Sequence, residues 1–133
     1  MSTPPYLLDT HAFYAWVTRQ NVSEEFCTFF DEQNEKEAVY VSTISFWEIA
    51  LLCRVKKLEI KNVEKWAGEV VERSQINVIH PGIQEMIRST LLPNHHKDPF
   101  DRLLVSQARH LKARLVTKDS LIRKYEVEVF WPG

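Results

Sequence analysis

Short apolar runs alternate along the chain with stretches of helical periodicity. Tyr6 to Asp9 is an apolar run of strand length, and His11 to Val17 continues as a short aromatic helix. Ser23 is placed to cap a second helix through Phe26, Phe29 and Phe30, with Glu25 in its first turn. Ala38 to Val41 reads as the next strand. Ile44, Trp47, Ala50, Leu51 and Val55 then recur at helical spacing to about Lys57. Asn62 opens a further amphipathic helix containing Val63, Trp66, Ala67, Val70 and Val71. Ile76 to Ile79 is a strand closed by Pro81 and Gly82, and Gln84 to Leu91 a short helix.

Pro93 to Lys97 is a polar loop. Asp98 caps the next helix, with Pro99 in its first turn and Leu103, Leu104, Gln107, Ala108 and Leu111 along one face. Leu115 and Val116 make a strand, Ser120 to Tyr125 a short helix and Val127 to Trp131 a final strand. Strands separated by helices throughout predict an α/β fold, with a parallel sheet covered on both faces. With no linker, repeat or low-complexity tract, residues 1–133 are expected to form a single domain.

A chain of 133 residues buries roughly two thirds of the surface its unfolded form exposes, so neither disulfides nor a structural metal need be assumed. No apolar run approaches the roughly 20 residues of a membrane span. The opening MSTPPYLLD has no basic segment ahead of a long apolar stretch, so a cytoplasmic location is expected. Cys27 and Cys53 are too few and too far apart for a cysteine metal site and are expected to be buried free thiols. A net charge of −1, taken alone, argues against a strong nucleic-acid binder. The average hides an asymmetry: residues 97–124 hold eight Lys or Arg against Asp98, Asp101 and Asp119. The stretch is either a solvated helix face or a basic rim for phosphates around an acidic centre.

That acidic centre is suggested by Asp9, Glu48, Asp101 and Asp119, each placed where a strand-like run or loop gives way to a helix. Each has a structural explanation. Asp9 and Asp119 can cap the helices after them, Ser45 and Glu48 fit the spacing of a capping box, and Asp101 lies in a first turn where the helix dipole favours an anion. As a set they are harder to explain that way. In a parallel sheet the carboxyl ends of the strands share one edge, so acids far apart in sequence can converge there. Two carboxylates about 4 Å apart repel by roughly 4 kcal/mol at an effective dielectric near 20, a conflict that a divalent cation resolves. Oxygen-only ligands favour Mg²⁺ or Mn²⁺ over zinc, and such a site can hydrolyse a phosphodiester without a protein nucleophile.

The four settings are LLDTH at 7–11, SFWEIALL at 45–52, HKDPFDRLLVSQA at 96–108 and LVTKDS at 115–120. In this order they resemble the PIN domain, a family of metal-dependent ribonucleases, and DPFDRLL with LLDTH points to its VapC-like branch of toxins from toxin–antitoxin pairs. The resemblance covers nearly the whole chain. It implies a PIN-like three-layer α/β/α sandwich with a central, mainly parallel sheet of four to five strands. It also implies cleavage of single-stranded RNA with Mg²⁺, or Mn²⁺ in its place. Asp9 and Asp101 would be the principal metal ligands, with Glu48 and Asp119 binding directly or through water and positioning the attacking water. A small antitoxin, its tail across the acidic cleft, and a homodimer are further implications. The aromatic segments Phe13 to Trp16 and Phe26 to Phe30 are expected to offer apolar surface for such partners. One departure is that VapC-like proteins often carry a basic residue about one turn after the glutamate, where this chain has Leu52, with Arg54 the nearest cation.

Thr10 and Thr117 flank two of the acids and can hydrogen-bond carboxylates or phosphate. His11, His95, His96 and His110 form no recognisable zinc motif, and His95 and His96 are expected to be solvated in their loop. Trp16, Trp47 and Trp66 read as core or dimer contacts. Among rival readings, a haloacid-dehalogenase-like phosphatase needs a second aspartate where His11 stands, and a receiver-like phosphoacceptor needs an acidic pair near the end of the first strand that is missing. The remaining alternative is a PIN-like module that binds RNA or protein with little or no cleavage.

Overall fold

Tyr6, Leu7 and Leu8 are all buried, and the strand they form, β1 (Tyr6–Leu8), is bonded on both sides, to β2 (Val39–Ser42) and to β4 (Arg114–Val116). In this computed structural model, which describes residues 3–133, β3 (Asn77–Ile79) lies outside β2 and β5 (Val129–Phe130) outside β4. The sheet therefore has five strands in the order β3-β2-β1-β4-β5, with every pairing parallel. The helices are α1 (Thr10–Thr18), α2 (Glu24–Glu35), α3 (Thr43–Arg54), α4 (Val63–Ser74), α5 (Ile83–Thr90) and α6 (Pro99–Leu111), with a 3-10 turn at Ile122–Lys124.

Side chains alternate across a strand, and β1 sorts its residues accordingly. Tyr6 and Leu8 join a core with Ala12, Phe13 and Trp16 of α1, Phe26 and Phe30 of α2, and Ile49 of α3. Leu7 joins Leu115 of β4 and Leu104, Val105 and Ala108 of α6 on the other face. The result is the three-layer α/β/α sandwich that the resemblance implies. Among the described residues, no helix is long and apolar enough to cross a membrane.

Three expectations are corrected. The aromatic segments are core rather than spare surface: Phe13, Trp16, Phe26 and Phe30 are buried, and rings such as Phe26 and Phe30 meet edge to face at 4.8 Å. Burying a phenylalanine is worth about 1.5–3 kcal/mol, which explains the enrichment without a partner. In α3 the buried residues are Ile44, Ser45 and Ile49, so Trp47, 61% exposed, is not a core residue. Residues 120–125 form only the short 3-10 turn, because Ser120 and Leu121 are spent in a tight turn after β4. The two cysteines are free, as expected, but half-buried.

Candidate metal centre

From β1 the chain crosses to β2 and β3 on one side, then returns to β4 on the other, so the crossover direction reverses between β1 and β4. Ligands of parallel sheets bind in the crevice at the strands' carboxyl ends beside such a reversal. Asp9 directly follows β1, and Thr117 and Asp119 follow β4, which places them at this crevice.

Asp9 is fixed there by the same capping that explains it structurally. It is buried, and its Oδ1 accepts the Ala12 amide of α1 at 2.7 Å. Burial raises its pKa; the Thr117 hydroxyl, the Ala12 amide and nearby His11 oppose the rise, and the charge of Asp119 adds to it.

Glu48 reaches the crevice from α3. Ser42, rather than Ser45, caps this helix, accepting the Ile44 amide at 3.3 Å, so the capping-box reading of Ser45 and Glu48 does not hold. Ser45 is buried one turn in. The Thr10 hydroxyl oxygen lies 3.0 Å from that of Ser45 and 2.5 Å from Glu48 Oε1. A hydroxyl has one proton and a carboxylate is the stronger acceptor, so Thr10 donates to Glu48 while Ser45 donates to Thr10. This ties α1 to α3 beside Asp9. Burial raises the Glu48 pKa, and the charges of Asp98 and Asp9 add to it against the Thr10 bond and His11.

Asp101 sits in the first turn of α6, its side chain 18% exposed. Burial, with the charges of Asp98, Asp9 and Glu48, lifts its pKa to about 7, against the opposing effect of His96. Asp98 is the cap of α6, with φ −70° and ψ 116°, and accepts the Phe100 amide at 2.9 Å. Proline at the next position favours this extended conformation. Asp119 differs from the other three: burial pushes its pKa up, but hydrogen bonds from His96 and the Leu121 amide, with the electrostatic influence of the His96 and His11 rings, bring it below the usual value.

The four acids thus form one electrostatically linked group, since Asp101 feels Asp9 and Glu48 while Asp9 feels Asp119. A carboxyl lifted to about 7 by burial and by three neighbouring carboxylates suits a hard divalent cation, and the donors are mostly oxygens. Among the described residues, the side chains whose ligand atoms lie within 4.8 Å of one another are His96, Asp101 and Asp119. Asp9 and Glu48 stand beside that group rather than inside it.

His96 is the residue that sequence reasoning missed. Expected to be solvated, its side chain is 12% exposed, with Nε2 2.6 Å from Asp119 Oδ2 and 3.2 Å from Asp101 Oδ2. Its loop is drawn inward by α6: Arg102 donates to the carbonyls of Ser89, Leu92, Pro93 and His96 at 2.9 to 3.2 Å. The sequence signal available was only its position two residues before the α6 cap. His95, by contrast, is exposed as expected.

The basic rim is narrower than its composition suggests. Arg102 is committed to carbonyls, and Arg114 lies 4.0 Å over the Tyr6 ring and donates to the Pro4 carbonyl at 3.1 Å. Arg109 is exposed but lies 4.0 Å from Glu126, and Lys97, Lys112, Lys118, Arg123 and Lys124 remain exposed, with the Lys118 ammonium 4.8 Å from the Trp131 ring centroid.

Ribonuclease VapC22 of Mycobacterium tuberculosis is 29% identical to this chain over 122 residues, 90% of each protein. Among solved structures, VapBC2 from Rickettsia felis bound to a DNA fragment from their promoter matches 96% of this chain and 98% of its own, with a TM-score of 0.72 at 16% identity. FitAcB from Neisseria gonorrhoeae matches 94% of this chain and 96% of its own, with a TM-score of 0.62 at 19% identity. At these identities the structural likeness speaks for the fold. The PIN domain family model matches residues 6–128, a span that contains all four acids, and the chain belongs to the PIN domain family.

Proposed function

We propose that this chain is a metal-dependent endoribonuclease that cuts single-stranded RNA, acting in the cytoplasm as the toxin of a VapC-like toxin–antitoxin pair. The observation that carries the reading is the acidic group at the strands' carboxyl ends: ligand atoms of Asp101 and Asp119, with His96, lie within 4.8 Å of one another beside Asp9 and Glu48, and burial with the charges of Asp98, Asp9 and Glu48 raises the Asp101 carboxyl to about 7. A divalent cation, Mg²⁺ or Mn²⁺, removes that conflict. The likeness to a relative named as a ribonuclease supports the same reading.

In this proposal Asp9 and Asp101 are the principal metal ligands, and Glu48 and Asp119 bind directly or through water and orient the attacking water. The bound cation supplies the Lewis acidity that activates water and stabilises the leaving oxygen. Thr10 holds Glu48, and Thr117 and the Ala12 amide hold Asp9, so the carboxylates are oriented before substrate arrives. The exposed lysines beside the crevice draw in RNA phosphates.

Two protein partners belong to the proposal. One is a small antitoxin, its tail lying across the acidic crevice, a partner that the likeness to VapBC2 supports. The other is a second copy of this chain. Trp47, Leu51 and Val55 on or next to α3, and Ile83, Met86, Ile87 and Leu91 on or next to α5, are large apolar side chains exposed at spacings that line one stripe of each helix.

The experiment is incubation of the purified protein with single-stranded RNA in Mg²⁺, in Mn²⁺ and in excess chelator. Cleavage in either cation and none in chelator is the expected result. RNA left intact under every condition would favour the binding module, and cleavage that persists in chelator would rule out the metal mechanism.

A further inference from the structure

His96 occupies a position that the acidic site alone does not require. Its Nε2 makes the 2.6 Å hydrogen bond to Asp119 Oδ2 and stands 3.2 Å from Asp101 Oδ2. The opposite ring nitrogen is also engaged: the Asp98 amide donates to His96 Nδ1 at 3.0 Å. An amide N–H needs a lone pair to point at, so Nδ1 carries no proton and the ring proton sits on Nε2. In that tautomer Nε2 is a donor to carboxylates and has no lone pair for a cation.

The backbone of His96 is held on both sides. Its amide donates to the Tyr125 hydroxyl at 2.9 Å, and its carbonyl accepts Arg102 Nη1 at 3.2 Å. The Tyr125 hydroxyl in turn donates to the Pro93 carbonyl at 2.8 Å. Arg102 and Tyr125 thus form a clasp around residues 93–96, and the clasp sets where the imidazole stands. Without it, Asp119 has one further bond, from the Leu121 amide at 2.9 Å to Oδ1, which leaves its Oδ2 edge free to swing into solvent.

We propose that His96 is a positioning residue: its Nε2–H holds Asp119 beside Asp101 in the arrangement that receives the divalent cation, and the Arg102–Tyr125 clasp holds His96. Outer hydrogen-bond partners of this kind orient ligands, and removing one typically lowers metal affinity by about 10–100-fold. The inference rests on the metal-site reading given above, and it concerns the apo arrangement of the chain's own residues.

The test is calorimetric titration with Mn²⁺ of the full-length wild type, His96→Leu and His96→Gln, beside the melting temperature of each in chelator. Leucine fills a similar volume without an N–H, whereas the glutamine amide carries an N–H at nearly the same reach. The expected result is a loss of about 10–100-fold in Mn²⁺ affinity for His96→Leu, recovery to within a few-fold for His96→Gln, and similar metal-free melting temperatures. Wild-type affinity in a folded His96→Leu would overturn the proposal and leave the metal site standing. Failure of the wild type to bind Mn²⁺ would overturn the metal-site reading and the proposal together. Pulsed electron paramagnetic resonance of the Mn²⁺-loaded wild type separates positioning from ligation: no coupling to a directly bound nitrogen is expected, and such a coupling, lost in His96→Leu, would overturn the positioning role.

Discussion

Asp98 and Asp101 stand one turn apart at the start of α6 and face different partners: the Asp98 carboxylate accepts the Phe100 amide as the helix cap, while that of Asp101 lies 3.2 Å from His96 within the acidic group. Asparagine caps a helix about as well as aspartate. Asp98→Asn should therefore keep its stability and most of its metal affinity, losing only the charge that helps raise the Asp101 pKa. Asp101→Asn should lose metal binding and cleavage together. Titration of both variants with Mg²⁺ and Mn²⁺ decides the matter, and the opposite outcome would place the ligand one turn earlier.

The raised pKa of Asp101 also predicts a pH dependence in the absence of metal. The folded protein holds a proton on this carboxyl up to about pH 7, whereas the ordinary value is 3.8. Between these limits the folded state binds more protons than the unfolded, so stability falls as pH rises from about 4 to about 7. At about 1.4 kcal/mol per pKa unit the loss is at most about 4 kcal/mol. Denaturant unfolding in chelator should show this decline in the wild type and a flatter profile in Asp101→Asn. Parallel profiles would count against the buried, crowded carboxyl.

Asp9→Asn retains the cap of α1 while removing the buried charge. Folding should be intact by circular dichroism; if Asp9 is a metal ligand as proposed, its loss removes several kcal/mol of transition-state stabilisation, and RNA cleavage should fall by more than about 100-fold. Full activity in this variant would remove Asp9 from the site.

Lys118 lies two residues after β4, exposed and stacked on Trp131. If its ammonium contacts an RNA phosphate, Lys118→Ala should weaken binding to all sequences alike and flatten the dependence of log affinity on log salt by a little under one unit. An unchanged slope would return it to the solvated face.

The apolar stripes of α3 and α5 predict self-association. Leu51→Arg with Ile87→Arg places charges on two exposed positions that touch neither core, so the fold should survive while sedimentation shifts from dimer to monomer. A wild type that sediments as a monomer at micromolar concentration would refute the dimer.

The strands were legible because each is a continuous apolar run between turn residues, as Tyr6 to Leu8 and Val39 to Val41 show. Asp9, Asp101 and Asp119 were legible because each marks a junction between elements, whereas Glu48 lies in the middle of α3 and was picked out by the family resemblance. What could not be read was the direction in which a helix faces. Trp47, Leu51 and Val55 keep helical spacing as faithfully as a buried stripe does, yet they point to solvent, because periodicity identifies a face and not what covers it. His96 was hidden for another reason. Its burial depends on Arg102 and Tyr125, which hold its loop through backbone carbonyls and an amide, and backbone partners leave no trace in a pattern of side chains.

The place of β1 in the middle of the sheet has a consequence in time. Its two neighbours come from distant parts of the chain, β2 soon after it and β4 close to the end. At about 5–20 residues per second, several seconds of synthesis separate the emergence of Asp9 from that of Asp119. Until β4 docks, the second edge of β1 has no partner and the crevice has only one wall. A site built on this topology stays incomplete until the last of its acids, Asp119, has emerged and β4 has docked beside β1.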